Sequence, residues 1–249
     1  MRDLADEAAA LGALLSSIST DDWLTDTPAA GWDVRDSVAH LAVGDELALE
    51  SAVEDRVPAV MQQGIEAVLE GNEAAEAFER SLVDRGRARS PDDVHRWWQA
   101  GNSALVAELR VIDPDRRLPW GGNQMSTVSF TTARVMETWA HGLDCFDAMG
   151  TTPVDTDRLR HVADLSLRAL PYAFMIQGLE LPGPVRLELD SPSGEHWPIG
   201  PQDAPTVMRG SASDWCRVAV HRDRRGERDR ITGEGLGAAD VLKHVQAYL

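Results

Sequence analysis

The sequence predicts an α+β protein in which a four-helix bundle with a helical insertion precedes a small α/β domain. Two observations lead to this class. Residues 1–150 contain four long segments with apolar side chains at helical spacing, and such helices bury their apolar stripes by packing as a bundle. Beyond the segment TTPVDTD, short alternating strands are mixed with helices. The boundary is expected near Thr152, which gives predicted domains of residues 1–152 and 153–249.

The bundle helices are recognised by their ends as well as by their periodicity. Asp33 is expected to cap the second helix, with Asp36 placed favourably in its first turn. Ser90 is expected to cap the third, and Pro91 occupies the first helical position, where its missing N–H costs nothing. The four predicted spans are residues 3–18, 34–53, 91–111 and 133–150.

Two long segments separate the last three of these helices. Residues 58–90 hold two shorter helical pieces, separated at Gly71-Asn72, and form the predicted insertion. Residues 112–130 are rich in Pro, Gly and Asn and are predicted to be a loop.

The second domain is predicted to mix both kinds of secondary structure. The segment PVRLELDS alternates as a strand, SPSG is typical of a turn, and EHWPIG is expected to return as the hairpin partner. The other predicted elements are helices at about 157–177, 211–221 and 238–249, and an extended segment at 229–232.

The overall composition excludes several classes of function. A net charge of −17 argues against nucleic acid and anionic membrane surfaces as partners, because binding phosphates requires concentrated Lys and Arg. No apolar run approaches the roughly 20 residues that span a bilayer. The two cysteines do not form a disulfide framework, and the N-terminal segment has acidic residues where a signal peptide would be apolar. We therefore expect a cytoplasmic protein.

The fourth bundle helix carries an unusual row of polar side chains along one face. Arg134, Glu137, His141 and Asp144 share one face because they are three or four residues apart. Glu137 and His141 form an E-x-x-x-H pair that can point at one ion, and His40 on the second helix is the best third candidate. Two histidines and one glutamate are the ligand set of a catalytic zinc site. From the pattern alone, a satisfied polar face or a core ion pair is the favoured alternative.

Two stretches give the pattern a family context. GWDVRDSVAHLA and, about a hundred residues later, ARVMETWAHGLDCFDAMG resemble the metal-binding signature of DinB-like helical bundles. More narrowly, the whole chain resembles the mycothiol-dependent maleylpyruvate isomerase family of actinobacteria and related metal-binding proteins, in which a sterol-carrier-like domain follows the bundle. Lys243 is the only lysine against 23 arginines, which fits a GC-rich actinobacterial genome.

The resemblance implies a ligand set and a cosubstrate. It places Zn²⁺, or another divalent transition metal, on His40, Glu137 and His141, with mycothiol as the thiol cosubstrate. It also implies that an arginine in the second domain contributes to activity, and the frame GSASDWCRVAVHR assigns this role to Arg222. The neighbouring arginines of HRDRRGERDR, or a merely solvated charge run, are the alternatives.

Other residues are candidates for supporting roles. Asp144 is expected to orient a ligand, since ligating imidazoles usually donate their other N–H to a carboxylate, and the alternative is that it binds the metal itself. Arg134 is expected to pair with Asp144 or Glu137, or to form an ordinary helix-surface ion pair. Trp120 and Met125 are expected either to line the pocket or to belong to the core. Cys145 is more often a small buried residue than a further ligand.

These expectations define the predicted function. Zinc next to a cavity can either activate a water for hydrolysis or bind a thiol as the thiolate. The family resemblance favours the thiol, and it implies a zinc-dependent mycothiol transferase or a thiol-assisted isomerase acting on a small electrophilic, anionic substrate. A hydrolase that uses zinc-bound water is the enzymatic alternative. The non-enzymatic alternative is a protein that binds a metal and an apolar ligand without catalysis. The expected partners are therefore a small-molecule substrate and a low-molecular-weight thiol.

Overall fold

A computed structural model of the chain describes residues 1–120 and 123–247. The chain divides into two compact units, Met1–Pro153 and Val154–Leu249. Each unit has its own secondary structure, and together they form the predicted α+β class.

The first unit is built from six α-helices in its described part. In chain order they are α1 (Arg2–Leu15), α2 (Val34–Glu54), α3 (Ala59–Glu70), α4 (Asn72–Arg87), α5 (Pro91–Val111) and α6 (Thr127–Ala148). Helices α1, α2, α5 and α6 are the bundle, and α3 and α4 are the inserted pair, which breaks at Gly71 as the sequence predicts.

The capping residues define where two bundle helices begin. Asp33 Oδ1 accepts a hydrogen bond from the Asp36 N–H at 2.8 Å, and the Asp36 carboxylate accepts one from the Asp33 N–H at 3.2 Å. This reciprocal capping box fixes the start of α2. Ser90 Oγ accepts a hydrogen bond from the Asp93 N–H at 3.2 Å at the start of α5, so both predicted caps are confirmed.

The segment predicted as a loop contains a hairpin and the start of α6. Strands β1 (Arg117–Trp120) and β2 (Asn123–Ser126) pair antiparallel, while Gly121 and Gly122 between them lie outside the described residues. Ser126 then caps α6, which begins at Thr127 instead of near residue 133. The loop prediction was wrong here because cross-strand pairing overrides a turn-rich composition.

Two apolar clusters form the core of this unit. One gathers around Val38, Trp98 and Cys145, and the other around Ala48, Leu105 and Phe130. Both clusters receive side chains from α2, so this helix is buried along most of its length. A buried polar side chain on α2 or on the facing side of α6 is therefore costly unless it finds a partner inside the bundle.

The second unit combines three α-helices with a four-stranded sheet in its described part. Its elements are α7 (Leu159–Ile176), β3 (Val185–Asp190), β4 (His196–Ile199), β5 (Thr206–Ser211), α8 (Ala212–Ala219), β6 (Thr232–Glu234) and α9 (Ala238–His244). The strand order is β4-β3-β5-β6, in which β3 and β5 are parallel and the outer pairs are antiparallel.

Three predictions for this unit need correction. Strand β5 was not predicted, although β3 pairs with it along its whole length. The segment 229–232, predicted to be extended, begins with a 3₁₀ turn at Arg228–Arg230, and the strand starts only at Thr232. Helix α9 ends at His244, and the last two residues of the predicted helix lie outside the described part. The hairpin of β3 and β4 is confirmed.

None of the helices in residues 1–120 and 123–247 combines the length and the apolar character that crossing a lipid bilayer requires.

Candidate metal centre

Three predicted ligands converge in the first unit. Helices α2 and α6 pack side by side, and His40 on α2 faces Glu137 and His141 on α6. The Glu137 Oε2 atom lies 3.8 Å from His40 Nε2 and 3.5 Å from His141 Nε2, and the two imidazole centroids are 4.5 Å apart. One ligand atom from each residue lies within 4.8 Å of the other two.

The spacing of these atoms suits a shared cation. A direct N–H···O hydrogen bond is normally 2.7–3.2 Å long, which is shorter than both contacts. Ligands bound at about 2.0–2.1 Å around a tetrahedral zinc are about 3.3–3.4 Å from one another. The Glu137 oxygen thus lies slightly beyond this separation from each of the two imidazole nitrogens, and imidazole nitrogen and carboxylate oxygen are donor types that zinc binds.

The three side chains differ in their access to solvent. The His40 side chain is 39% exposed, while those of Glu137 and His141 are 17% and 9% exposed. The triad is therefore rooted in the bundle on the α6 side and reaches solvent on the α2 side. The most solvent-accessible edge of the triad is therefore that of His40.

The local electrostatics favour the protonation states of metal ligands. Burial raises the pKa of Glu137, but its contacts with His141 and His40 and the charge of Arg134 outweigh burial, so this pKa falls below its usual range. Burial and the neighbouring His141 both lower the pKa of His40. At neutral pH Glu137 is therefore an anion and His40 a neutral imidazole, as a divalent cation requires.

Asp144 lies behind one of the histidines. Its carboxylate is fully buried, and its Oδ2 atom is 3.5 Å from the Nδ1 atom of His141, on the side of the ring away from Glu137. A carboxylate in this position can fix the orientation of the ring, which is the role that the sequence predicts for it.

Arg134 does not have the partner that the sequence predicts. Instead of Asp144 or Glu137, its guanidinium contacts Asp45 on α2, with the Nε and Nη2 atoms each 3.0 Å from Asp45 Oδ1. Both side chains are buried, so this is not a surface ion pair either. Asn102 on α5 donates a second hydrogen bond to the same carboxylate, at 3.0 Å.

Gly44 provides the space for this buried pair. A Cβ atom at position 44 would lie 2.8 Å from Arg134 Nη1, closer than such contacts allow. The small residue that the sequence places one turn after His40 thus accommodates the guanidinium of Arg134. Asp45 itself is the signal that could have revealed the pair, because a carboxylate inside an apolar helix face needs a buried partner.

Trp32 is a neighbour of the triad that the sequence reasoning missed. Its ring stacks on His141, with centroids 5.8 Å apart and an interplanar angle of 22°, and it lies 5.2 Å from the His40 ring at 48°. The position of Trp32 eight residues before His40, in the quoted stretch GWDVRDSVAHLA, was the available signal.

The remaining candidates in the first unit lie in the core. Trp120 packs edge-on against Phe130 at 5.1 Å, and Trp120 and Met125 are half-buried against the cluster of Ala48 and Leu105. These contacts agree with the second of the two expectations for Trp120 and Met125, that they belong to the core. Cys145 is fully buried in the other cluster, where burial and Asp144 raise the pKa of its thiol, so it is not a ready ligand.

The second-unit candidates are described within their own unit. Arg222 follows α8, and its guanidinium donates a hydrogen bond to the Val220 carbonyl at 2.6 Å. Its role in activity stays a prediction. Three histidines of this unit have partners within it: His196 contacts Glu188 on the neighbouring strand, His221 lies 3.2 Å from the Val245 carbonyl, and His244 packs edge-on against Phe174.

Comparisons with known proteins agree with this architecture. Residues 4–146 match the sequence profile described as the mycothiol maleylpyruvate isomerase N-terminal domain. An uncharacterised protein found in two strains of Mycobacterium tuberculosis is 37% identical over 247 residues, which cover 99% of this chain and 93% of the relative.

A solved structure shows the same fold. The crystal structure of the mycothiol-dependent maleylpyruvate isomerase aligns with a TM-score of 0.57 and 18% sequence identity, covering 93% of this chain and 90% of that one. A histidine-to-alanine mutant of the isomerase aligns with the same TM-score at 17% identity.

Proposed function

The chain belongs to the mycothiol maleylpyruvate isomerase family, and on that premise we propose that it is a zinc-dependent enzyme with mycothiol as its cosubstrate. Its proposed substrate is a small electrophilic, anionic molecule. The proposed reaction is either a thiol-assisted isomerisation or a thiol transfer.

The observation that supports this proposal is the convergence of His40, Glu137 and His141 between α2 and α6. These residues are proposed to hold Zn²⁺ or another divalent transition metal. When bound, such a metal would keep a coordinated thiol in the thiolate form at neutral pH and so supply a nucleophile.

The chain's own residues have separate proposed tasks around the metal. Glu137 supplies the negative charge of the ligand set, and Asp144 orients the imidazole of His141 from the opposite side. Arg222 is proposed to bind the substrate anion, since a guanidinium pairs well with a carboxylate, and this assignment depends on the family resemblance. The exposed edge of His40 supports access for a small thiol.

Both cysteines of the chain are free and buried, which supports a reducing compartment. We therefore propose the cytoplasm as the location. The net charge of −17 supports small molecules, and not nucleic acid, as the partners.

A thiol-dependent activity assay tests the proposal. The zinc-loaded protein is mixed with mycothiol and monobromobimane to detect transfer, and separately with mycothiol and maleylpyruvate to detect isomerisation. We expect a rate above the uncatalysed rate in at least one assay, and its loss in His141→Ala. Arg80→Ala is the matched control, because Arg80 is exposed on the inserted helix and pairs only with Glu76 among the described residues.

The other outcomes identify the alternatives. Hydrolysis of an activated ester by zinc-loaded protein without any thiol would indicate a hydrolase. A copurified lipid with no turnover in any assay would indicate a carrier. Either result would contradict a thiol-dependent enzyme.

A further inference from the structure

Trp32 covers the two histidines of the candidate metal centre. Its half-buried indole is in ring contact with both His40 and His141, although these residues come from different helices. Because an imidazole ligand can rotate about its side-chain bonds, a flat ring against both histidines restricts the directions in which their Nε2 atoms point.

A hydrogen-bonded loop holds the indole in place. In residues 25–33, the Thr27 N–H and hydroxyl both donate to the Trp32 carbonyl, at 2.8 and 2.9 Å, and the Trp32 N–H donates to the Ala29 carbonyl at 3.0 Å. Gly31 has φ +80°, a conformation that glycine adopts without strain. The capping box at Asp33 then joins the loop to the helix that carries His40. The position of Trp32 is thus fixed by the backbone on both sides.

The inserted helix pair clamps this loop from outside. Arg87, the last residue of α4, donates from its Nη2 atom to the Gly31 carbonyl at 2.9 Å and to Asp36 Oδ2 at 2.7 Å. Asp36 is fully buried and belongs to the capping box. One guanidinium therefore connects the insertion to the residue next to Trp32 and to the start of α2.

We propose that Trp32 is a positioning residue for the metal site and that Arg87 of the insertion holds it against the two imidazoles. The inference rests on the proposed function only in requiring that His40, Glu137 and His141 bind a metal. Groups that fix the orientation of ligating histidines typically contribute 10- to 100-fold to metal affinity, and an apolar wall beside a site limits the access of water. Trp32 supplies such a wall, and no metal ligand of its own.

Metal affinity of the full-length protein tests this proposal. The dissociation constant for Zn²⁺ is measured by competition with a chromophoric chelator, and the visible spectrum of Co²⁺ reports the coordination geometry. The variants are Trp32→Ala, Trp32→Phe and Arg87→Ala. Arg80→Ala is the matched control, because Arg80 lies on the same inserted helix as Arg87 but is exposed and pairs with Glu76.

We expect a loss of Zn²⁺ affinity that is large when the aromatic ring is removed and small when one is retained. Trp32→Ala should weaken Zn²⁺ binding roughly 10- to 100-fold and alter the Co²⁺ spectrum, while Trp32→Phe, which keeps an aromatic face, should recover most of the affinity. Arg87→Ala should weaken binding in the same direction by a smaller factor. The Arg80→Ala control should bind as the wild type does. The melting temperature of each metal-free variant separates a general loss of stability from a specific loss of affinity.

Two results would overturn the proposal in distinguishable ways. If the wild type binds no Zn²⁺ or Co²⁺, the proposed function fails and this inference fails with it. If the wild type binds both metals and Trp32→Ala binds them with unchanged affinity and spectrum, only the positioning role is contradicted. Should Trp32→Ala fail to fold, Arg87→Ala decides, and wild-type affinity in that variant would contradict the role of the insertion.

Discussion

At the scale of single residues, Arg134 and Asp45 show how much one buried charge depends on another. Both side chains are almost completely excluded from solvent, and Asn102 is the only other described residue with a hydrogen bond to Asp45. Burial raises the pKa of Asp45, although Arg134 and Asn102 oppose this effect. The carboxylate therefore relies on Arg134 to stay charged.

Removing one partner of this pair should be more harmful than replacing both. We expect Arg134→Met to lower the free energy of unfolding by about 3–5 kcal/mol, because it leaves Asp45 buried and uncompensated. The double variant Asp45→Leu/Arg134→Met should recover a large part of this loss. Urea unfolding of the two single variants and the double variant measures the coupling, and strictly additive losses would contradict a buried ion pair.

The histidines should make stability depend on pH. Because the pKa of His40 is lower in the folded protein than its usual value of about 6.5, the unfolded chain takes up a proton that the folded chain resists. Stability contributed by His40 is therefore present above about pH 6.5 and is lost as the pH falls below it. In metal-free protein, the wild type should lose more stability between pH 7 and pH 5 than His40→Gln does. Equal losses in urea unfolding at the two pH values would contradict this.

The sequence predicted the convergence of the three candidate ligands better than it predicted their surroundings. Glu137 and His141 are one turn apart on the same helix, so their convergence is a local property of the pattern. The partner of Arg134 could not be found this way, because Asp45 lies 89 residues earlier in the chain. Trp32 was missed for a related reason, since its contact with His141 depends on how the loop folds over α6.

At the scale of elements, two glycines show opposite roles in helix packing. A Cβ atom at Gly86 in α4 would lie 2.4 Å from the Ala39 Cβ atom in α2, so the two helices approach too closely for any side chain there. A Cβ atom at Gly12 in α1 would have its nearest neighbours at 4.0 Å, which is ordinary contact.

Alanine at these two positions should therefore change stability in opposite directions. Gly12→Ala should raise the free energy of unfolding by about 0.5–1 kcal/mol, because alanine costs less backbone entropy in a helix. Gly86→Ala should lower it by about 1–3 kcal/mol through overpacking against Ala39. The two variants act as controls for each other in thermal or urea unfolding, and stabilisation by Gly86→Ala would contradict the close packing of α4 on α2.

The elements that the sequence predicted are those with local signals. Helices α2 and α5 have apolar periodicity and a capping side chain within the same segment. Strands β1, β2 and β5 lack strict alternation of apolar and polar residues in sequence, and they exist because they pair with a neighbour. The start of α6 was placed too late because Ser126 lies inside the segment that composition marks as a loop.

At the scale of the whole molecule, the family and the α+β class were predictable because the signal is spread along the entire chain. The bundle motif around His40 and the one around His141 lie about a hundred residues apart, and the relative that is 37% identical covers 99% of the chain. What the sequence could not supply is the way in which the insertion, the loop around Trp32 and the capping box of α2 connect to one another. Those contacts join segments that are far apart in the chain, and no periodic pattern in the sequence indicates that they meet.

The metal content of freshly purified protein is the most direct test of the account. We predict about one zinc ion, or one ion of another divalent transition metal, per chain in the wild type and in Arg80→Ala, measured by elemental analysis. His40→Ala and His141→Ala should each contain almost none, because two remaining ligands do not hold the ion through purification. Full metal content in either histidine variant, or a wild type that takes up no metal even after incubation with Zn²⁺, would contradict the central claim.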